Sequence, residues 1–302
     1  MDAVRTADER FARLAGFPWS PAWLDDLPGF AGLRAAVVDE GPRDAGRTFL
    51  CLHGEPTWGY LYRKMIPVFL ASGARVVVPD FFGFGRSDKP VRDEDYGFHF
   101  HRDFLLRLIE RLDLRRIVLV VQDWGGLLGL TLPVDERARA RISGLVVMNT
   151  ALAVGEPLTA GFDAWRAYAQ SQPDLAVGAL MQRGTPILSD ADVVAYDAPF
   201  PDARHKAGVR AFPRLVMTGP EMPGVAESLV ARDFWANAWE GPSFMACGAR
   251  DPVFPPAHME ALRRQIRGCP EPMILPEAGH FVQEWGEPIA RRALEVLGAP
   301  RS

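Results

Sequence analysis

A carboxylate stands where a sharp turn would expose it. The run Val-Gln-Asp-Trp-Gly-Gly at positions 121–126 has Asp123 at its centre, the apolar segment Ile117–Val121 before it and the helix-like segment Leu127–Leu132 after it. This strand–turn–helix pattern is typical of a nucleophile elbow, in which serine is the usual apex residue. A carboxylate that attacks saturated carbon forms an ester, which water can cleave. The sequence therefore predicts hydrolysis through a covalent ester on Asp123.

Two further residues could complete the chemistry. Asp251, in Gly-Ala-Arg-Asp-Pro, follows a strand-like segment that ends at Cys247, and His280, in Glu-Ala-Gly-His-Phe, follows the last strand-like segment. Taken singly, an Asp before Pro is usually a turn former. Because the carboxyl ends of parallel strands meet at one edge of a sheet, we expect both residues to lie near Asp123. The pattern predicts a catalytic triad in which His280 is the general base and Asp251 orients it.

A loop of six residues could stabilise negative charge. His-Gly-Glu-Pro-Thr-Trp, at positions 53–58, directly follows the apolar segment Thr48–Leu52. In a site built around such an elbow, this loop supplies one backbone N–H group of the oxyanion hole, and the residue after the nucleophile supplies the other. These N–H groups are predicted to be those of Glu55 and Trp124.

The elements that must position these residues alternate along the chain. Seven short apolar segments read as strands: Ala35–Val38, Thr48–Leu52, Arg75–Pro79, Ile117–Val121, Leu145–Asn149, Ser243–Cys247 and Pro272–Leu275. Amphipathic segments between them read as helices: Gly59–Ala71, His99–Leu112, Trp124–Leu132, Pro256–Ile266 and Pro288–Leu297. Near-continuous apolar strands that alternate with helices predict an α/β fold with a mostly parallel, doubly wound sheet.

One long segment breaks this alternation. Residues 154–231 contain no strand–helix–strand pattern, and a stretch of this length is too long for a surface loop in a compact domain. We therefore predict a helical cap domain at 154–231, inserted into a main domain formed by residues 1–153 and 232–302.

The composition restricts the partners. A net charge of −4 and a pI near 5.9 argue against nucleic acid and anionic membranes. Three cysteines are too few for a disulfide framework, and the beginning of the chain lacks a signal pattern, so a cytoplasmic location is expected. No side chains have metal-ligand spacing, so neither a metal nor a cofactor is predicted. The acidic surface favours a monomer.

The motifs together resemble those of one enzyme family. HGEPTW, VQDWGG, the Gly-Ala-Arg-Asp turn and AGHFVQE are similar to the haloalkane dehalogenases of the α/β-hydrolase superfamily, in the subfamily whose catalytic acid follows the strand after the cap. The resemblance implies an α/β-hydrolase fold and the conversion of a haloalkane and water into a primary alcohol, a halide and a proton. It also implies that two tryptophans hold the halide, Trp124 beside the nucleophile and Trp165 in the cap.

The resemblance further implies an apolar substrate pocket. Aromatic cap residues line the pocket in the family, which points to Phe162 and to Phe212-Pro213 here. Leu127 stands where related enzymes carry a larger aromatic side chain, so a wider pocket floor is expected. Val253 and Phe254, next to the predicted acid, complete the expected wall.

Two alternatives remain open at this point. An epoxide hydrolase also uses an aspartate nucleophile and protonates the opening ring with two cap tyrosines, for which Tyr168 and Tyr196 are candidates. An epoxide hydrolase mechanism would give Trp165 no role. A non-catalytic relative that binds a ligand is the other alternative, although such relatives usually lack a member of the triad.

Overall fold

The computed structural model describes residues 1–298, and its central feature is an eight-stranded sheet. The strands are β1 Ala22–Leu24, β2 Ala35–Glu40, β3 Thr48–Leu52, β4 Arg75–Pro79, β5 Ile117–Gln122, β6 Ile142–Met148, β7 Ser243–Gly248 and β8 Met273–Leu275. They lie in the order β1-β2-β4-β3-β5-β6-β7-β8. A separate two-stranded ribbon pairs Ala3–Val4 with Lys89–Pro90.

The sheet is parallel except at one edge. Strands β3 to β8 pair in parallel, whereas β1 pairs antiparallel with β2 and β2 with β4. All residues of β3, β4 and β5 are buried, as expected for central strands covered by helices on both faces. The predicted mostly parallel, doubly wound α/β sheet is therefore confirmed.

Helices cover the sheet and fill one long insertion. They are α1 Ile66–Ala71, α2 Phe98–Arg111, α3 Trp124–Gly129, α4 Glu136–Arg139, α5 Ala160–Ser171, α6 Val177–Gly184, α7 Asp190–Asp197, α8 Ala207–Leu215, α9 Val225–Asp233, α10 Pro256–Arg264 and α11 Gly286–Leu297. Within the described residues, short 3-10 segments occur at Asp8–Phe11, Gly59–Tyr62, Asp93–Asp95, Leu132–Val134, Ala203–Lys206 and Val282–Trp285, and a π turn follows α9 at Phe234–Ala238.

Two predicted helices are interrupted. The segment predicted as one helix from Gly59 to Ala71 consists of a 3-10 turn followed by α1, and Pro67 lies in the first turn of α1. Proline has no N–H group to continue a helix from the preceding turn, but it is tolerated in a first turn. Helix α3 likewise ends at Gly129 before a 3-10 turn that contains Pro133. Strand β1 was not predicted at all.

The segment predicted as a cap, residues 154–231, contains helices and no strand. Helices α5 to α9 lie between β6 and β7, and α9 continues two residues past the predicted boundary at residue 231. Positions 299–302 of the predicted main domain lie outside the described residues. Within residues 1–298, no helix is long and apolar enough to cross a membrane.

Candidate active site

Asp123 lies in a strained turn between β5 and α3. Its backbone has φ +49° and ψ −124°, a conformation that non-glycine residues adopt only where the surroundings impose it. The surroundings do so through two hydrogen bonds: the Asp123 N–H group donates to the Asn149 carbonyl at 3.0 Å, and the Thr150 hydroxyl donates to the Asp123 carbonyl at 2.7 Å. The carboxylate is thereby presented at the carboxyl edge of the sheet.

Glycines allow the neighbouring loop to approach this turn. A Cβ atom at Gly54 would lie 2.4 Å from both Cβ and Oδ1 of Asp123, and a Cβ atom at Gly125 would lie 2.0 Å from the Leu52 carbonyl oxygen. Both positions must therefore lack a side chain for the loop after β3 to pack against the elbow.

His280 lies between the two aspartates predicted to act with it. Its Nδ1 atom is 2.9 Å from Oδ2 of Asp251, and its Nε2 atom is 3.4 Å from Oδ2 of Asp123. Burial lowers the pKa of His280, but the Asp251 and Asp123 carboxylates outweigh burial and raise it to about 10. For the Asp251 carboxyl group, burial alone would raise the pKa. The opposing effect of His280 leaves the pKa of Asp251 below its usual value.

Asn149 was not predicted to be a site residue, and its side chain holds the Asp251 carboxylate in place. Its buried side-chain amide donates to Oδ2 of Asp251 at 2.7 Å and to the Phe254 carbonyl at 3.1 Å, and it accepts the Gly248 N–H group at 2.9 Å. Asn149 follows β6 at the same sheet edge as Asp123. A polar residue at the end of a buried apolar strand was the signal that could have identified it.

One of the two backbone N–H groups expected to form an oxyanion hole contacts the predicted nucleophile. The Glu55 N–H group donates to Oδ1 of Asp123 at 2.8 Å. Trp124 is the first residue of α3, where a backbone N–H group has no partner within its own helix. Burial, with a smaller effect of the Asp123 charge, raises the pKa of the Glu55 side chain well above its ordinary value, and His280 acts in the opposite direction. Among the described residues its Oε1 atom has no hydrogen-bond partner.

A cavity of about 570 Å³ opens over Asp123 and His280. This volume falls within the range of about 300–1,000 Å³ that is usual for small-molecule sites. Five of the predicted pocket residues line it: Leu127, Phe162, Pro213, Val253 and Phe254. Further lining residues were not predicted and include Pro56, Leu180, Val216 and Phe281 on the apolar wall and Arg183, Arg250 and Glu277 among the charged side chains.

Phe212 does not take the predicted position. It is fully buried and absent from the cavity wall, and its ring packs against that of Trp124 with centroids 4.6 Å apart. It also packs against Phe84 and His101. Because successive residues of a helix point in directions about 100° apart, α8 turns Pro213 towards the cavity and Phe212 behind the Trp124 indole.

The two tryptophans predicted to bind halide both line the cavity. Within residues 1–298 their indole N–H groups make no hydrogen bond to the protein. By contrast, the indoles of Trp58, Trp235 and Trp239 donate to Ala195 O, Leu130 O and Ser243 Oγ. Trp124 is as buried as these three residues, and a buried indole N–H group usually has a partner, so its N–H group is available to a ligand in the cavity. Trp165 is half-buried, and its indole also lines the cavity.

The two cap tyrosines have different environments. Tyr196 is fully buried, and its hydroxyl donates to Oε1 of Glu284 outside the cavity. Tyr168 does line the cavity, and its hydroxyl accepts a hydrogen bond from Arg183 at 3.0 Å. The structure therefore does not bring the two hydroxyl groups together. In the described part of the chain, no group of three or more His, Cys, Asp or Glu side chains could hold a metal ion.

Comparison with known proteins gives a consistent result. A family model described as alpha/beta hydrolase fold matches residues 47–287. Haloalkane dehalogenase 1 of Mycobacterium tuberculosis H37Rv is 43% identical over 297 residues, which cover 97% of this chain and 98% of the relative. Haloalkane dehalogenase of Psychrobacter cryohalolentis is 40% identical over 305 residues, covering 98% of each chain.

Solved structures that are similar to this chain are also haloalkane dehalogenases. The haloalkane dehalogenase DpaA from Paraglaciecola agarilytica NO2, whose structure is described as tetrameric, is 51% identical, with a TM-score of 0.95 and 98% coverage of both chains. The haloalkane dehalogenase DatA from Agrobacterium tumefaciens C58 is 25% identical, with a TM-score of 0.73 and coverage of 93% of this chain and 97% of the other.

Proposed function

Since this chain belongs to the haloalkane dehalogenases of the α/β-hydrolase fold and hydrolyses carbon–halogen bonds, we propose that it does so through an ester on Asp123. The observation that carries the proposal is that two indole N–H groups without protein acceptors line the same cavity as the Asp123 carboxylate. Indole donors suit a departing halide, because preorganised dipoles act most strongly in a cavity from which water is excluded.

The first step is attack on the carbon that bears the halogen. Oδ1 of Asp123 is held by the Glu55 N–H group, which leaves Oδ2, on the side of His280, as the attacking oxygen. Oδ2 forms a bond to carbon while the carbon–halogen bond breaks, and the halide leaves with the electron pair. The side-chain N–H groups of Trp124 and Trp165 stabilise the halide.

The second step is hydrolysis of the ester. His280 takes a proton from water, and the water oxygen attacks the Asp123 carboxyl carbon. Negative charge then develops on Oδ1, which accepts the Glu55 N–H group, and the backbone N–H group of Trp124 is assigned as the second donor. Asp251 stabilises the imidazolium form of His280. Collapse of this intermediate breaks the bond between the carboxyl carbon and the alkyl oxygen, which takes up the second proton of the water and leaves as the alcohol. Loss of the first proton from His280 to solvent restores the enzyme.

The apolar wall favours an uncharged alkyl chain. Phe162, Pro213 and Val253 enclose the space above Asp123, and Leu127 and Phe254 complete it. We assign residues 154–231 to the cap that closes this pocket, because α5 and α8 supply Phe162, Trp165 and Pro213. The reaction requires no cofactor.

Epoxide hydrolysis has less support. It would need two tyrosine hydroxyl groups in the cavity, and Tyr196 is buried against Glu284. The direct test is to incubate the purified protein with 1,2-dibromoethane and to follow bromide and acid release. Release of both supports the proposal. Opening of styrene oxide without any bromide release would contradict it.

For the assembly state, one relative offers more guidance than the composition. The acidic surface favoured a monomer, but the relative that is 51% identical is tetrameric. We therefore propose that this chain also self-associates. Sedimentation velocity at micromolar concentration tests this, and a single species of about 33 kDa, the mass of one chain, would contradict it.

A further inference from the structure

A buried glutamine lies against the predicted base. Gln122 is the last residue of β5 and is fully buried. Its Nε2 atom is 3.0 Å from Nε2 of His280, closer than the 3.4 Å between that nitrogen and Oδ2 of Asp123. The mechanism described above gives Gln122 no role, although it is the nearest polar group to the nitrogen that must accept a proton.

Two neighbours fix which end of the Gln122 amide faces His280. The Nε2 group donates to the His280 backbone carbonyl at 3.2 Å, and Oε1 accepts from the Gln283 side chain at 3.4 Å. A reversed amide would place two oxygen acceptors, Gln122 Oε1 and His280 O, against each other. The N–H end therefore faces the imidazole.

This orientation distinguishes between the two protonation states of His280. In the neutral ring, Nδ1–H donates to Asp251, and the lone pair on Nε2 accepts from Gln122. In the imidazolium form, Nε2 carries a proton, and two N–H donors oppose each other. The amide thus opposes protonation of His280.

The charged groups around His280 act in the other direction. Asp123 faces the ring from the elbow and Asp251 from the loop after β7, and Glu55 lines the same cavity from the loop after β3. Arg250 and Glu277 lie farther out on the cavity wall and pair with each other. The two carboxylates near the ring therefore favour the imidazolium, and Gln122 is the neutral donor that opposes them.

We propose that Gln122 is a positioning residue that holds His280 by its backbone carbonyl and favours the neutral imidazole. This inference rests on the proposed function, because His280 must lack the proton on Nε2 to serve as the base, although the two carboxylates raise its pKa to about 10. The bond joins two neutral groups, so it is weak enough to yield when Nε2 takes the proton of water.

The test is a direct titration of His280 by nitrogen-15 NMR of histidine-labelled protein. The chain has six histidines, and His280→Phe identifies the signal. Gln122→Met keeps the length of the side chain but removes the donor, and we expect it to raise the pKa of His280 by about 0.5 to 1. Gln122→Glu replaces the donor with a carboxylate and should raise the pKa further. The acid limb of the pH profile of kcat/KM should move in the same order.

A matched control separates this effect from loose packing. Gln283→Met disturbs the other end of the Gln122 amide without removing the donor to His280, and should leave the His280 pKa within about 0.2 of wild type. An unchanged or lower His280 pKa in Gln122→Met, or equal shifts in all three variants, would overturn the proposal. If Gln122→Met does not fold, Gln122→Glu decides by the same titration. Because the titration needs no turnover, a failure to release halide would count against the proposed function alone.

Discussion

The backbone N–H group of Glu55 donates to Oδ1 of Asp123 at 2.8 Å. One carboxylate oxygen thus already occupies the position in which negative charge would develop during ester hydrolysis. The other oxygen is left to face His280 and the cavity. The two oxygens of one side chain therefore have different surroundings, which fits the different roles proposed for them.

Gly54→Ala tests this arrangement. The added Cβ atom would lie 2.4 Å from Oδ1 of Asp123 and would push the carboxylate away from the Glu55 N–H group. We expect kcat to fall by about 10²–10³-fold, the usual effect of losing one oxyanion donor. Gly97→Ala is the control, because a Cβ atom there meets nothing within 4 Å. A wild-type kcat in Gly54→Ala would show that the contact is unimportant.

His280→Phe should stop the reaction at the ester. Attack by Asp123 does not need a base, whereas hydrolysis loses the general-base contribution of about 10²–10⁴-fold. Mass spectrometry should find one alkyl adduct on Asp123 and one equivalent of released halide. Asp123→Asn should form no adduct. An adduct on any other residue would disprove the assigned nucleophile.

Replacing either cavity indole should weaken halide binding. Trp124→Phe and Trp165→Phe each remove one N–H donor to an anion, which should lower bromide affinity by about 10–100-fold. Isothermal titration calorimetry measures the affinity, and halide release measures the accompanying loss of kcat. Trp285→Phe, outside the cavity, is the matched control. Unchanged bromide affinity in Trp165→Phe would remove this residue from the halide site.

The raised pKa of His280 predicts how stability depends on pH. The folded pKa of about 10 lies above the unfolded value of about 6.5. The charged His280 therefore stabilises the fold fully below about pH 6.5, and this contribution is lost as the pH rises through about 10. Asp123→Asn removes one carboxylate, lowers the folded pKa and moves this loss to lower pH. Urea unfolding at pH 6, 8 and 10 compares the two proteins, and parallel curves would contradict the prediction.

A buried ion pair connects the loop after His280 with the rest of the molecule. Arg63 binds both carboxylate oxygens of Glu284 at 2.6 and 2.7 Å, and Asp192 of α7 at 2.7 Å. Glu284→Gln should lower the free energy of unfolding by about 3 kcal/mol, because it leaves a buried charge partly uncompensated. Glu287→Gln, in an exposed pair with Arg291, should leave the urea midpoint unchanged. Equal midpoints in both variants would rule out this role.

The sequence was sufficient for features that depend on the order of strands. Asp123, Asp251 and His280 each follow a parallel strand, so their convergence at one sheet edge could be predicted. Features that depend on packing between distant elements could not be predicted from the sequence. Phe212 faces away from the cavity because of the way α8 is rotated on the main domain, and the contact between Gln122 and His280 joins residues 158 positions apart. Strand β1 has only three residues and too little pattern to be recognised.

The packing of Phe212 behind Trp124 limits how the pocket can be redesigned. Neighbouring positions on one helix have different surroundings, since Pro213 lines the cavity and Phe212 packs behind the Trp124 indole proposed to bind the halide. Enlarging the side chain at 212 or trimming it would shift selectivity among leaving groups rather than among chain lengths. Libraries aimed at bulkier substrates are therefore better directed to Leu127 and Val216, where the wall can change without moving Trp124.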